Sequence, residues 1–221
     1  MVCAHGSGPD REDQRLLAEL DRAVAQVRAE LRTLRDQISP HFLHNTISSI
    51  VAMVTTDPTR ARDLLIVFAE FARYSLRSAT ETTLAEELEN IDRYLTLQRA
   101  RFRERLRVRI EVAPIVLPAV LPFLVLQQLV DNAVRNGIEL QQLGGTVTVT
   151  ARQDGGDCLI TVSDDGPGTV DPGFAATLRT IDEKLRDRFG AQYRLLSDIA
   201  PGVGTTITLR VPATPSHRAG E

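Results

Sequence analysis

Residues 146–168 read TVTVTARQDGGDCLITVSDDGPG, and their period decides the fold of the C-terminal half. Apolar and polar side chains alternate on both sides of Asp154-Gly155-Gly156-Asp157. Alternation is the mark of a half-buried strand, and a two-glycine break between two such runs predicts a β-hairpin. Cys158 falls in the second run and reads as a small buried hydrophobe rather than a reactive thiol. The run ends in Asp164-Asp165-Gly166-Pro167-Gly168, which is either a plain turn or a backbone shaped for close approach to a ligand.

Outward from this hairpin the pattern mixes strands and helices. Downstream, a helix is predicted from about residue 174 to 189, with strands near 193–199 and 204–211. Gly202-Val203-Gly204-Thr205, before the last strand, is either a turn or a ligand-side wall. Upstream, residues 122–137 read as a helix with proline at its start and glycine at its end. LRVRIEV, residues 106–112, reads as a strand. Thr83-Leu84-Ala85-Glu86 is a capping-box pattern opening a helix that runs to about Phe102.

Before residue 80 every segment reads as helix. Leu17, Leu20, Val24, Val27, Leu31, Leu34 and Ile38 follow a 3-4 spacing, a narrow coiled-coil seam. His41 stands at the next seam position, directly after Pro40, which should kink or loosen the helix. Leu43, Ile47, Ile50, Val51 and Val54 then resume the stripe. At Thr56-Asp57-Pro58 the chain turns, with Asp57 as cap and Pro58 as first helical residue. A second helix presents Leu64, Leu65, Phe68, Phe71, Ala72 and Leu76, which completes an antiparallel hairpin. The fold class is therefore α+β. Residues 11–80 form a coiled coil and helical hairpin, and residues 81–212 form the α/β part. Residues 1–10 and 213–221 are expected to be disordered ends.

Composition narrows the function. The chain has 221 residues, 43 % of them hydrophobic and 25 % charged, with a formal net charge of −3. No whole-chain field favours nucleic acid. The basic residues are 25 arginines and one lysine, Lys184, a bias that reads as a GC-rich coding genome. No apolar run reaches the ~18–20 residues of a membrane helix, and residues 1–10 lack a signal-peptide core. Cys3 and Cys158 are the only cysteines, too few for a disulfide framework or zinc spacing. A reducing cytoplasmic setting is expected.

Three segments carry candidate chemistry. In Pro40-His41-Phe42-Leu43-His44-Asn45, His41 is a neutral nucleophile at cytoplasmic pH, and His44 and Asn45 either orient it or face solvent. In residues 129–137, LVDNAVRNG, Asp131, Asn132 and Arg135 offer a carboxylate, an amide oxygen and a cation, which suits Mg²⁺ with phosphate oxygens. At the end of the second strand, Asp164 can accept a hydrogen bond from a purine amine.

In this order the segments resemble the LytS-type sensor histidine kinases, from about residue 31 to 212. QISPHFLHNTISSI is similar to that family's phosphoacceptor box, which implies phosphorylation of His41. LQQLVDNAVRNGI resembles its asparagine box, which implies Asn132 as the Mg²⁺ ligand with Asp131 and Arg135 beside a triphosphate. SDDGPG resembles the first glycine box, which makes Asp164 the adenine-reading acid and Gly166 and Gly168 the close-approach glycines. GVGTTITLRVP, with Thr205, resembles the final strand. The family pairs a dimeric helical hairpin with an α/β-sandwich ATP domain of the Bergerat type. It implies ATP and Mg²⁺ as cofactors, a homodimer, and a response regulator receiver domain as partner. Contact with a membrane would run through a missing or separate sensory part.

Two departures from the family bear on activity. Asn136 stands where histidine is usual, and an amide cannot carry a proton. In Gly173-Phe174-Ala175-Ala176-Thr177-Leu178, the second glycine box keeps only Gly173, so Ala175 and Thr177 are expected to strain the backbone and weaken ATP binding. Three readings remain at this point. They are a working histidine kinase, a kinase-like dimeric scaffold or phosphatase with impaired ATP binding, and another Bergerat-type ATPase.

Overall fold

The computed structural model describes residues 39–139, 141–169 and 172–213. The coiled-coil seam at 17–38 and the end at 1–10 lie outside the described residues. The chain forms two compact units, residues 1–44 and 45–221, and each is described by itself.

In the first unit, Ser39 leads into helix α1 (Pro40–Met53). The Ser39 hydroxyl accepts from the N–H of Phe42 at 3.4 Å. Pro40 is thus the first helical residue, where its missing N–H costs nothing.

In the second unit, α1 ends at Met53 and the chain turns into α2 (Pro58–Ser75). The Asp57 carboxylate accepts from Arg60 N at 3.0 Å, the expected cap, worth about 1 kcal/mol. Strand β1 (Glu81–Thr83) follows, then α3 (Leu84–Phe102), whose cap is Thr83 accepting from Glu86 N at 3.3 Å. Strand β2 (Leu106–Val112) and strand β3 (Val120–Pro122) precede α4 (Val125–Val134). Helix α4 gives way to a π turn at Arg135–Glu139. Strands β4 (Gly145–Asp154) and β5 (Asp157–Asp164) form the hairpin, followed by α5 (Pro172–Phe189), β6 (Leu195–Ala200) and β7 (Gly204–Pro212).

The main sheet has the order β2-β4-β5-β7-β6. Only β2 and β4 run parallel. The period-2 rule puts Val147, Val149 and Ala151 of β4, Cys158, Ile160 and Val162 of β5, and Ile207, Leu209 and Val211 of β7 on one buried face. Helices α3, α4 and α5 cover that face. Burial pushes the Cys158 thiol up to about 11, so it stays protonated, as a buried hydrophobe should.

One expected helix start moves. Pro122 does not open α4. It ends β3, paired with Glu81 in a two-stranded antiparallel ladder. Leu124 then turns the chain in the left-handed region at φ 60, and the helix begins at Val125. Ala213, placed among the disordered residues from sequence, is buried and donates its N–H to Gly156 O at 3.0 Å.

Candidate nucleotide site

The buried faces of β5 and β7 end in polar residues. Asp164 continues the inward series Cys158, Ile160, Val162, and Thr205 precedes the inward series Ile207, Leu209, Val211. The two face each other across the β5–β7 ladder. Strand periodicity therefore forces a carboxylate and a hydroxyl into the apolar layer, 7 % and 2 % exposed. Asp164 Oδ1 accepts from Gly166 N at 3.0 Å, and the Thr205 N–H also donates to this carboxylate. Burial is the largest influence on Asp164 and lifts it to about 6, against the two backbone donors. At neutral pH it remains mostly an anion and an acceptor. Thr205 Oγ1 has no hydrogen-bond partner among the described residues. A buried polar atom left unpaired costs about 1–3 kcal/mol; Ser75 Oγ and Asn90 Oδ1 share this state, but only Thr205 stands beside a buried carboxylate at the strand ends.

Helix α4 lies over this corner. Asn132 and Asn136 are both buried and one turn apart, with Asn136 Nδ2 donating to Asn132 Oδ1 at 3.4 Å and to Thr169 O at 3.1 Å. An added Cβ on Gly166 would meet Asp164 Oδ1 at 2.5 Å and Asn136 O at 2.9 Å. At Gly168, φ is +64 and a Cβ would lie 2.0 Å from Ala200 O. Both glycines are thus required by the protein's own backbone, a nearer reason than the approach of a ligand. Asn132, Asn136, Asp164, Gly166, Gly168 and Thr205 are brought to one corner.

The other residues singled out from sequence lie elsewhere or are otherwise engaged. Asp131 Oδ1 accepts from the Tyr94 hydroxyl at 2.7 Å, and Tyr94 in turn accepts from Gln98 Nε2 at 2.7 Å. Burial, and then the Asp131 charge, raise the Tyr94 phenol far above its ordinary value, so it keeps its proton and donates it to Asp131. Arg135 is half-buried where α4 becomes a π turn. His41 is exposed in the first turn of α1. Asn45, half-buried, receives the Ser49 hydroxyl at its carbonyl at 2.8 Å.

The second glycine box is corrected. Gly173, Ala175 and Thr177 all lie inside α5, and neither Ala175 nor Thr177 has positive φ. The expected backbone strain is absent because the helix begins at Pro172 and runs through the segment. Thr177 bonds its hydroxyl to Gly173 O at 3.2 Å.

The sequence reading missed a buried polar ladder from α3 to α4. Glu87, fully buried, accepts from Leu124 N at 2.9 Å, Leu126 N at 3.0 Å and Gln127 N at 3.4 Å. Asn90 donates to Gln127, Tyr94 to Asp131, and Arg101 pairs with Glu139. The signal was present in the sequence as polar residues at the buried positions of an otherwise apolar helical stripe.

Among the described residues no group of three or more His, Cys, Asp and Glu could hold a metal ion. None of their helices is long and apolar enough to cross a membrane.

Comparison with known proteins gives two adjoining matches. The histidine kinase family matches residues 29–106, and the histidine kinase-, DNA gyrase B- and HSP90-like ATPase family matches residues 123–215. The sensor histidine kinase BtsS of Escherichia coli K12 is 33 % identical over 205 residues, 90 % of this chain and 36 % of that protein. The sensor protein LytS of Bacillus subtilis is 30 % identical over 200 residues, 83 % of this chain and 34 % of that protein. LytS of Staphylococcus haemolyticus is 28 % identical over 201 residues, 84 % and 34 % respectively. The chain thus spans about a third of the length of these curated relatives.

Proposed function

We propose, because this chain belongs to the histidine kinase family, that it is the kinase core of a two-component sensor. The sandwich binds ATP, His41 takes the γ-phosphoryl group, and an aspartate of a response regulator receiver domain receives it next. The observation that carries the nucleotide half is the Asp164–Thr205 pair, a buried anion beside a buried, unpartnered hydroxyl. An adenine offers an exocyclic amine to the carboxylate and ring nitrogens to the hydroxyl. Asn132 would supply an amide oxygen to Mg²⁺, and Asn136, Arg135 and Asp131 lie along the same helical segment. Bound Mg²⁺ would neutralise charge on the triphosphate. The chain's own share is to read the base, orient the phosphates and present the His41 imidazole.

The helical part is proposed to dimerise. Ile47, Val51 and Val54 recur at helical spacing and are 48 %, 63 % and 49 % exposed, and Leu65, Ile66 and Leu76 are 47–49 % exposed. Apolar stripes of this kind are expected to be covered by a second copy of the chain. Residues 11–80 would then be the dimerising and phosphoaccepting part, 81–212 the ATP-binding part, and the setting cytoplasmic. The impaired-kinase alternative rested on the degenerate second glycine box and on Asn136, and within α5 neither Ala175 nor Thr177 has positive φ.

The test is incubation of the full chain with Mg²⁺ and γ-labelled ATP. An acid-labile label that disappears in His41→Gln and in Asp164→Asn is expected. A folded protein that binds ATP and takes no label would overturn the kinase reading.

A further inference from the structure

Helix α4 has no capping side chain of its own. Its preceding residue, Leu124, has φ 60 and makes no side-chain cap. The first N–H groups of a helix need acceptors, and among the described residues the side-chain acceptance here comes from one residue on another helix. Both oxygens of Glu87 are used, Oε1 by Leu124 N and Oε2 by Leu126 N and Gln127 N. A carboxylate on backbone donors is the stronger class of hydrogen bond, and it also answers the positive end of the helix.

Glu87 has a fourth partner. The hydroxyl of Tyr74, on the last turn of α2, lies 3.3 Å from Glu87 Oε1 and 2.9 Å from Thr82 Oγ1 of β1; because Thr82 gives its own proton to Glu86 Oε2 at 2.6 Å, the Tyr74 proton is shared between Glu87 and Thr82. The Tyr74 ring packs on Phe123, one residue before Leu124, with centroids 5.3 Å apart. Tyr74, Phe123 and Leu124 form one buried cluster. The end of α2 and the start of α4 therefore meet at a single buried carboxylate. Two helical turns further on, the same α4 carries Asn132.

We propose that Glu87 and Tyr74 are positioning residues for phosphoryl transfer: Glu87 sets the position of the helix that carries Asn132, and Tyr74 ties that setting to the end of α2. This rests on the kinase reading above. The carboxylate touches no substrate; it acts through the backbone of residues 124–127. The ladder below it, Asn90 to Gln127 and Tyr94 to Asp131, fixes the rotation of α4 once its end is pinned.

The test is a double-mutant cycle on the full chain with Glu87→Gln and Tyr74→Phe, both close in shape to the native side chains. Affinity for Mg-ATP and His41 phosphorylation are read well below each variant's own melting temperature, so that unfolded protein does not enter. Glu87→Gln is expected to weaken ATP binding by about tenfold and Tyr74→Phe by about threefold. Tyr74→Phe should have no further effect in the Glu87→Gln background, because its route runs through that carboxylate. Variants that melt earlier but bind ATP as the native chain does would show a merely structural role and overturn the inference. Effects that add fully would also overturn it, since the two residues would then act independently. If the native chain binds no ATP, the kinase reading itself fails, a result distinct from either.

Discussion

The apolar side chains left exposed on α1 and α2 contrast with the polar side chains buried around α4. Val51 is 63 % exposed, while Glu87 and Asn90 have no exposure at all. The two cases are not equivalent. An exposed apolar stripe costs little in a monomer and gains by association, so it marks a surface for another protein. A buried carboxylate opposes folding unless donors are aimed at it, so it marks a place where geometry is being held. On the proposed function, the helical part awaits a second copy of the chain and the sandwich a small polar ligand.

The sharpest way to break this contrast is Asp164→Asn. The amide keeps the shape but offers one acceptor fewer and turns an N–H toward the adenine amine, so ATP affinity should fall by about a hundredfold or more. The fold should hold or gain stability, because a buried charge has been removed. Isothermal titration and thermal melting on the same sample check both halves. Affinity for ATP in the native chain should also decline as pH drops through about 6, where Asp164 takes up a proton.

The next effect is the pH dependence of stability. Glu87 has an ordinary value of 4.5 and burial lifts it to about 7, against the donors of Leu124, Gln127 and Leu126. The folded state then holds a proton that the unfolded chain has released. Its contribution is full below about 4.5 and is lost as pH rises through 7. That interval corresponds to roughly 3 kcal/mol. Asp164 acts in the same direction between 3.8 and about 6. Urea unfolding should show stability falling between pH 4.5 and 8, and Glu87→Gln should remove most of that slope.

On the hairpin side, Val51→Glu with Leu65→Glu should raise the dimer dissociation constant by more than about tenfold while leaving ATP affinity in place. Sedimentation at several concentrations measures it. A chain already monomeric at micromolar concentration would remove the hairpin half of the contrast. The smallest effect is expected at the second glycine box. Because α5 runs through Ala175 and Thr177, glycine at either position should lower the melting point, costing about 0.5–1 kcal/mol each, and should not restore any lost affinity.

The same contrast explains what could be read from the sequence. The capping residues Asp57 and Thr83, the Gly155-Gly156 hairpin and the strand series around Ile160 and Ile207 follow from local rules, and they stand where those rules put them. The inward pointing of Asp164 is also local, since it keeps the period of its strand. What escaped the sequence is non-local. Pro122 reads as a helix opener until β1 is known to pair with it. Glu87 directly follows the capping box Thr83–Glu86 and reads as a second acidic residue of the first turn. Its three backbone partners lie 37 to 40 positions away. The second glycine box misled for a related reason: the missing glycines predict strain only if the turn they would serve is present, and here helix takes its place.

On the proposed function, the sandwich delivers a phosphoryl group to His41 and to no other histidine. Its most direct test is to incubate the full chain with Mg-ATP, digest it at alkaline pH, and map the phosphoryl group by mass spectrometry. An acid-labile phosphate on His41 and none on His44, lost when Asp164 is replaced by Asn, is the expected result. Phosphate on His44, or none on either histidine in a chain that binds ATP, would contradict it.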